Sequence, residues 1–321
     1  MKILVLPKEN ENGKPENICK SGYSLIAGSI SEAAEKIKAS GTNERTEIFL
    51  SPGVYHEKVE LVGNNISLIG ESKENTIIEY DDYALYIIPE EGVKRGTFRS
   101  YTMFVDGDGF IMKNVTVKNT AGYGGKVGQA VALYMEGDNA LIENCALKSR
   151  QDTLFTGPLP PSVIEPGGFR GPKENAPRKR QTHRYVNCYI EGDVDFIFGG
   201  AESYFEGCEL HSLMREKTGD NGIQGYVTAA STPEGQPTGY VFRNCRFTSD
   251  CPDGSVYLGR PWRNFAKVRI EHCELGSHIN PAGWHDWNKP ESHDTVFFEE
   301  CDNYGPGADT SKRPSWVHID K

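Results

Sequence analysis

Ile142-Glu143-Asn144-Cys145-Ala146-Leu147 sets the reading of this chain, because the same frame returns five times. It recurs as Val186-Asn187-Cys188-Tyr189-Ile190, Phe205-Glu206-Gly207-Cys208-Glu209-Leu210, Phe242-Arg243-Asn244-Cys245-Arg246-Phe247, Ile270-Glu271-His272-Cys273-Glu274-Leu275 and Phe298-Glu299-Glu300-Cys301, with the cysteines 43, 20, 37, 28 and 28 residues apart. Ile111-Met112-Lys113-Asn114-Val115-Thr116-Val117 fits with Val in the Cys slot. Short strands recurring at irregular multiples of one unit suit a parallel solenoid whose coils are joined by turns of variable length, each coil touching only its neighbours. The six cysteines would then stack as an internal ladder at the strand spacing of ~4.8 Å. A β-sandwich is the rival, but Asn-Gly hairpin signals between alternating runs are sparse. The expected class is all-β.

Outward from the repeats, Gly192-Asp193-Val194-Asp195-Phe196-Ile197-Phe198-Gly199 alternates apolar and acidic residues. A regular strand would put Val194, Phe196 and Phe198 on the core face and present Asp193, Asp195 and Ile197 on the other. Two dense stretches look like partners: Gln151-Asp152-Thr153-Leu154-Phe155 and Leu258-Gly259-Arg260-Pro261-Trp262. Together they supply a second acid, an amide, a guanidinium and an indole. Nearer the start, Ser29-Ile30-Ser31-Glu32 is a capping-box sequence, followed by Ala33, Ala34 and Ile37 at helical spacing and closed by Gly41, so one helix is expected to cover an open end of the solenoid. The Gly- and Pro-rich residues 157–184 are too long for an ordinary turn and are expected to wall a cleft between the acid-bearing stretches.

A formal net charge of −10, with Lys and Arg scattered, argues against a nucleic-acid partner; the longest basic run, Arg178-Lys179-Arg180, reads as a solvated loop. Only four consecutive apolar residues open the chain, and nothing later approaches the ~20 needed to span a bilayer, so no membrane partner is expected. With no CxxC or His-x-x-His spacing, the cysteines read as small buried hydrophobes and a metal site is not expected. No linker divides the chain, which reads as a single domain over 1–321, as a monomer, and as cytoplasmic, or secreted if a leader precedes it. His56, His183 and His285 share no spacing and are assigned to surface or turn positions.

With these residues assembled, the chain resembles the pectin methylesterases, carbohydrate esterases built on a right-handed parallel β-helix. The likeness runs roughly from Gly53 to Tyr304. It rests on Gly53-Val54-Tyr55-His56-Glu57, Thr97-Phe98-Arg99-Ser100, Gly107-Asp108-Gly109-Phe110, Asn119-Thr120-Ala121-Gly122, Gly128-Gln129-Ala130-Val131-Ala132-Leu133, Gln151-Asp152-Thr153-Leu154, Val194-Asp195-Phe196-Ile197-Phe198-Gly199, Leu258-Gly259-Arg260-Pro261-Trp262 and Pro281-Ala282-Gly283-Trp284, in family order. It implies Asp195 as nucleophile, Asp152 as acid/base, Gln129 and Gln151 as oxyanion donors, Arg260 as the partner of Asp195, and Trp262, Thr97, Phe155 and Trp284 as sugar-binding residues. The implied substrate is methylated pectin or an oligogalacturonide, with no cofactor. The chain departs from the family's pattern in Phe155, where Tyr is common, in Gly200, where Asn is common, and in a loop over 157–184 longer than in plant members.

The residue types suit ester hydrolysis. A carboxylate can attack the ester carbonyl to give an acyl-enzyme anhydride that water opens. It must be ionised, which a forked guanidinium favours, while the second acid must first hold a proton, which burial and a neighbouring carboxylate favour. Uncharged amides can aim N–H groups at the oxyanion without being neutralised by the acids. Gln151 and Asp152 are adjacent, so both reach one site only at a strand end or bend. Two alternatives use the same residues differently: a pectate lyase-like enzyme with Asp193 and Asp195 as its acid pair, and a non-catalytic polysaccharide-binding solenoid using Trp262 and Trp284. In the esterase reading Asp193 is a strand-end polar group.

Overall fold

The computed structural model describes residues 1–7, 21–216 and 222–320. Among these, all strands but the antiparallel pair Ile87–Ile88 and Val93–Lys94 gather into parallel sheets of 12, 7 and 8 strands, and the central coils of the chain each contribute one strand to each in turn, as in Ala140–Glu143, Ala146–Lys148 and Leu154–Thr156. Neighbouring coils stay in register, so like positions stack: Tyr185, Phe205 and Phe242 lie ring over ring at 4.6 and 4.4 Å between centroids inside the solenoid. The architecture is an all-β parallel β-helix with one continuous apolar core.

The repeated frame has a conformational cause. Asn114, Asn144, Asn187, Asn244 and His272 all take φ of 52–57°, and Gly207 takes 62°, at the corner between the twelve- and eight-stranded sheets. A left-handed residue turns the chain sharply without spending a loop, and Asn tolerates it better than other side chains. Asn144 also donates its side-chain N–H to Oδ1 of Asn114 at 2.7 Å, one coil to the next. The residue after each turn points inward. Cys145, Cys188, Cys208, Cys245 and Cys273 are therefore buried free thiols in a column, with the amide of Cys188 donating to Sγ of Cys208 at 3.4 Å and that of Cys245 to Sγ of Cys273 at 3.3 Å.

Cys301 does not join this column. It pairs in register with Glu271, two residues ahead of Cys273, and the left-handed turn falls on Asp302 instead. Glu300 consequently occupies the inward position opposite Ile270, where Arg313 meets its carboxylate at 2.7 Å. Cys19 lies outside the described residues.

The expected helix runs over Ile30–Ser40. The Ser29 hydroxyl accepts from the amide of Glu32, the Glu32 carboxylate accepts from the amide of Gly28, and Gly41 closes the helix at φ 59°. Ile30, Ala33 and Ile37 face inward against the first coils.

His183 is a correction: it is fully buried in the strand Thr182–Val186, with Nε2 against the carbonyl of Gly137 at 3.0 Å. Burial lowers its pKa to about 4, so it packs as a neutral ring.

Candidate active site

The outward face of the seven-stranded sheet carries one row of residues in lateral register: Phe104, Tyr134, Phe155, Phe198, Ala229 and Arg260. Phe98 packs onto the row at 5.0 Å from Phe155 and 6.4 Å from Trp262, and Phe155 meets Phe198 at 5.0 Å. These rings form a second apolar cluster outside the solenoid wall, and the row that begins as a floor of rings ends in a guanidinium.

The strand Val194–Gly199 departs from simple alternation. Asp195 has φ 51°, and the register against Gly225–Ala230 shifts between Val194 and Ile197. The extra residue of this bulge reverses the expected facing. Phe196 and Ile197 both enter the central core, and Phe198, expected beside Phe196, lies outward in the ring cluster. The bulge also leaves the Asp195 carboxylate on the outer side of the sheet, in the cleft. Asp152 is held similarly, at φ 65° just before Leu154–Thr156, with its amide donating to the carbonyl of Val194 at 3.0 Å. Gln151 and Asp152 therefore sit at a bend, and both side chains reach the same cleft.

That cleft encloses about 380 Å³ and is lined by Gln129, Gln151, Asp152, Asp195, Arg260, Thr97 and Trp262 together with residues of the 157–181 loop. Arg260 grips Asp195 with both arms, Nε to Oδ1 at 2.8 Å and Nη2 to Oδ2 at 2.7 Å. The guanidinium is sandwiched between Tyr226 at 3.8 Å and Trp287 at 3.7 Å from the ring centroids, so it cannot swing away. Burial opposes its charge, but Asp195 outweighs burial and holds the Arg260 pKa above its usual value. Asp152 is 8 % exposed, and burial first, then the Asp195 charge, pushes its pKa well above the ordinary carboxylate value. Among the described residues neither the Gln129 nor the Gln151 amide is bonded to another protein group, which leaves their N–H donors for a ligand. A larger groove of about 520 Å³ on the eight-stranded sheet, lined by Lys118, Lys148 and Tyr189, holds no Asp at all, so size does not identify the site.

The sugar-binding expectations divide. Trp262 and Thr97 line the cleft, whereas Phe155 is fully buried beneath it and supports the floor without being reachable. Trp284 is a correction: it is 2 % exposed, stacks on Phe298 at 4.4 Å inside the solenoid and donates Nε1–H to Glu300 at 2.9 Å. The indole that joins Trp262 at the cleft is Trp287, three residues on from Trp284, at φ 58°. Phe98, Phe198, Arg263 and Trp287 also line the cleft and were not assigned to it from the sequence; for Phe98 and Arg263 the available signal was their position directly after Thr97 and Trp262. Asp193 accepts from Arg150 Nε at 3.1 Å and from the amide of Val194, so it is engaged away from Asp195 as a strand-end group.

Residues 18–158 and 175–321 match the family described as Pectinesterase. The chain belongs to that family. Pectinesterase 31 of Arabidopsis thaliana is 32 % identical over 295 residues, spanning 90 % of this chain and 82 % of its own, and Pectinesterase 3 of Citrus sinensis is 33 % identical over 92 % of this chain and 45 % of its own. Among solved structures, the pectin methylesterase from carrot superposes with a TM-score of 0.75 at 27 % identity, over 99 % of this chain and 88 % of its own. A pectin methylesterase variant in complex with a hexasaccharide gives 0.76 at 25 % identity, over 99 % and 92 %. This pectinesterase is thus a carboxylic ester hydrolase acting on pectin, and residues 159–174, which fall between the two matched segments, belong to the loop that walls its cleft.

Proposed function

We propose that this pectinesterase releases methanol from galacturonate methyl esters through Asp195 as nucleophile and Asp152 as acid and then base. The observation that carries the assignment is the contrast between two acids in one cleft, one clamped by a forked cation and the other buried with a raised pKa. The Arg260 fork occupies two of the roughly four lone-pair positions of the Asp195 carboxylate, leaving others to attack the ester carbonyl carbon. The carbonyl oxygen becomes an oxyanion facing the Gln129 and Gln151 amides. As the tetrahedral centre collapses, the methoxy oxygen takes the Asp152 proton and leaves as methanol, and galacturonate remains joined to Asp195 as an anhydride. Asp152, now a carboxylate, removes a proton from water, which attacks the anhydride carbonyl and frees both carboxylates.

Asp193, tied to Arg150, does not join Asp195 in an acid pair of the kind a lyase would use, and Trp284, inside the core, is lost to a non-catalytic binding groove. The cytoplasmic expectation finds no support among the relatives, and thiols buried in the column are shielded from oxidants in any compartment. Asp195→Ala should reduce methanol release from methylated pectin by at least about 10³-fold with an unchanged far-UV circular dichroism spectrum. Appreciable release by that folded variant removes Asp195 from its role.

A further inference from the structure

Asp152 and Asp195 occupy matching points of adjacent coils, and those coils are joined laterally on either side of them. Two residues after the acids, Leu154 pairs in register with Ile197, where the regular ladder of the seven-stranded sheet begins. Two residues before them the joint is of another kind. The Asp193 amide donates to the carbonyl of Arg150 at 2.8 Å, and Arg150 Nε donates to Oδ2 of Asp193 at 3.1 Å. Oδ1 of Asp193 accepts from the amide of Val194 at 2.8 Å, so the carboxylate is held by both oxygens. Arg150 reaches one coil further still, with Nη2 donating to the carbonyl of Met214 at 2.6 Å. The two left-handed acids are thus bracketed between a side-chain latch and a strand ladder.

The acidic end of the latch is buried: Asp193 is 2 % exposed. A buried ion pair is often no more stabilising than apolar residues of the same volume, so stability alone does not account for this one. What it supplies is direction, because a charge-assisted bond fixes how one coil lies on the next at the last point before both acids leave strand geometry. The coils are also close here, since a Cβ at Gly192 would meet the Arg150 carbonyl at 2.6 Å. Neither Arg150 nor Asp193 lines the cleft.

We infer that Arg150 and Asp193 are a positioning pair for the hydrolysis, setting the separation and orientation of the Asp152 and Asp195 carboxylates across one ester without touching substrate. This rests on the esterase reading and adds two residues to it. The pair has an electrostatic side as well. Burial first and then the Asp195 charge keep the proton on Asp152, Arg260 opposes them, and the Asp193 charge adds to the retention. Burial resists ionisation of Asp193 itself, while Arg150, the Val194 amide and Arg215 favour it.

The test measures kcat, KM and the pH dependence of kcat/KM for methanol release from methylated pectin, with denaturant midpoints alongside, for wild type, Asp193→Asn, Arg150→Gln, the double variant carrying both, and Arg150→Lys. Asp193→Asn and Arg150→Gln should each lower kcat about 10²-fold, the cost of displacing a reacting group by about 1 Å, and leave KM within about twofold. The double variant should lose no more than either single one, because the pair acts as a unit, and Arg150→Lys, which keeps a cation beside Asp193, should recover part of the rate. In Asp193→Asn the alkaline decline should also begin at lower pH, since one charge that keeps Asp152 protonated is gone. A packing role alone would lower the midpoints and leave that decline in place. Losses that add in the double variant, an unmoved alkaline decline, or a kcat within about twofold of wild type in either folded single variant overturns the pairing. Should Asp193→Asn fail to fold, equal rates for Arg150→Lys and Arg150→Gln overturn it instead. A wild-type protein that releases no methanol overturns the esterase reading itself.

Discussion

Two regions of this solenoid use the same backbone conformation for opposite purposes. At the corner between the twelve- and eight-stranded sheets, Asn114, Asn144, Asn187 and Asn244 adopt left-handed φ coil after coil, and the result is a straight column of turns over buried thiols. On the seven-stranded sheet, Asp152 and Asp195 adopt it on neighbouring coils, and the result is two carboxylates turned into one cleft. The corner chose the residue that tolerates the conformation best and bonded it to its neighbours. The cleft placed acids there, buried one of them, and left two amides without partners among the described residues. Left-handed backbone costs a non-glycine residue roughly 1–2 kcal/mol, so a repeated corner minimises that cost while a functional site accepts it.

The comparison can be broken most directly at Asp152. Asp152→Asn keeps the shape and removes the proposed proton donor, so methanol release should fall about 10²–10⁴-fold. The same variant should gain stability. A folded-state pKa raised above the unfolded value contributes stability that is fully present below the unfolded pKa and lost as pH rises through the folded one, so wild type is penalised at neutral pH, where the unfolded chain ionises this acid freely and the buried carboxyl resists ionising. Denaturant midpoints should therefore place Asp152→Asn above wild type at pH 7 and remove the difference well below pH 4, near the ordinary carboxylate value. For the same reason, kcat/KM of wild type should decline as pH rises through the raised Asp152 pKa, because the first step needs the protonated acid. An Asp152→Asn variant with wild-type rates would erase the contrast between the two regions.

A smaller effect should follow from Gly124. A Cβ at this position would meet Gln151 Oε1 at 2.6 Å and Gln151 Cβ at 3.0 Å, so Gly124→Ala must displace the amide assigned to the oxyanion. Because the displaced group is a mobile side-chain end, stability should hold while kcat falls about tenfold, short of the 10²–10³ typical for deleting such a donor outright. Equal losses of stability and rate would make Gly124 a packing residue only.

The smallest effect belongs to the corner. Asn144→Ala removes the bond to Asn114 and places Ala at φ 52°, which should cost about 1 kcal/mol in denaturant unfolding, whereas Asn144→Gly should cost less. Neither should alter kcat/KM, since the corner faces away from the cleft. A change in rate would show that the two uses of left-handed backbone are coupled along the coils.

Much of the scaffold was legible because its cause is local. A turn that needs Asn or Gly followed by an inward position that needs a small apolar residue writes itself into the chain as Asn-Cys, and once per coil it becomes a repeat. Cys301 shows the limit: it keeps the spacing but pairs with Glu271, and only the register revealed that Glu300 takes the inward position there. The acids, the amides and Arg260 were likewise visible as residue types in short motifs. Their convergence was not, since Gln129, Asp152, Asp195 and Arg260 lie on different coils and meet only through lateral stacking.

The amino-acid sequence by itself determined the parallel coils, the capped helix and the inventory of the cleft, because strand period, turn preference and capping act over a few residues. Only the tertiary structure decided which way the side chains face. The bulge at Asp195 turned Ile197 into the core and Phe198 out, the inward Glu300 and Phe298 drew Trp284 into the interior, and Trp287 closed over Arg260 in its place. A one-residue shift in a strand reverses every facing after it, and its position is set by the neighbouring coils.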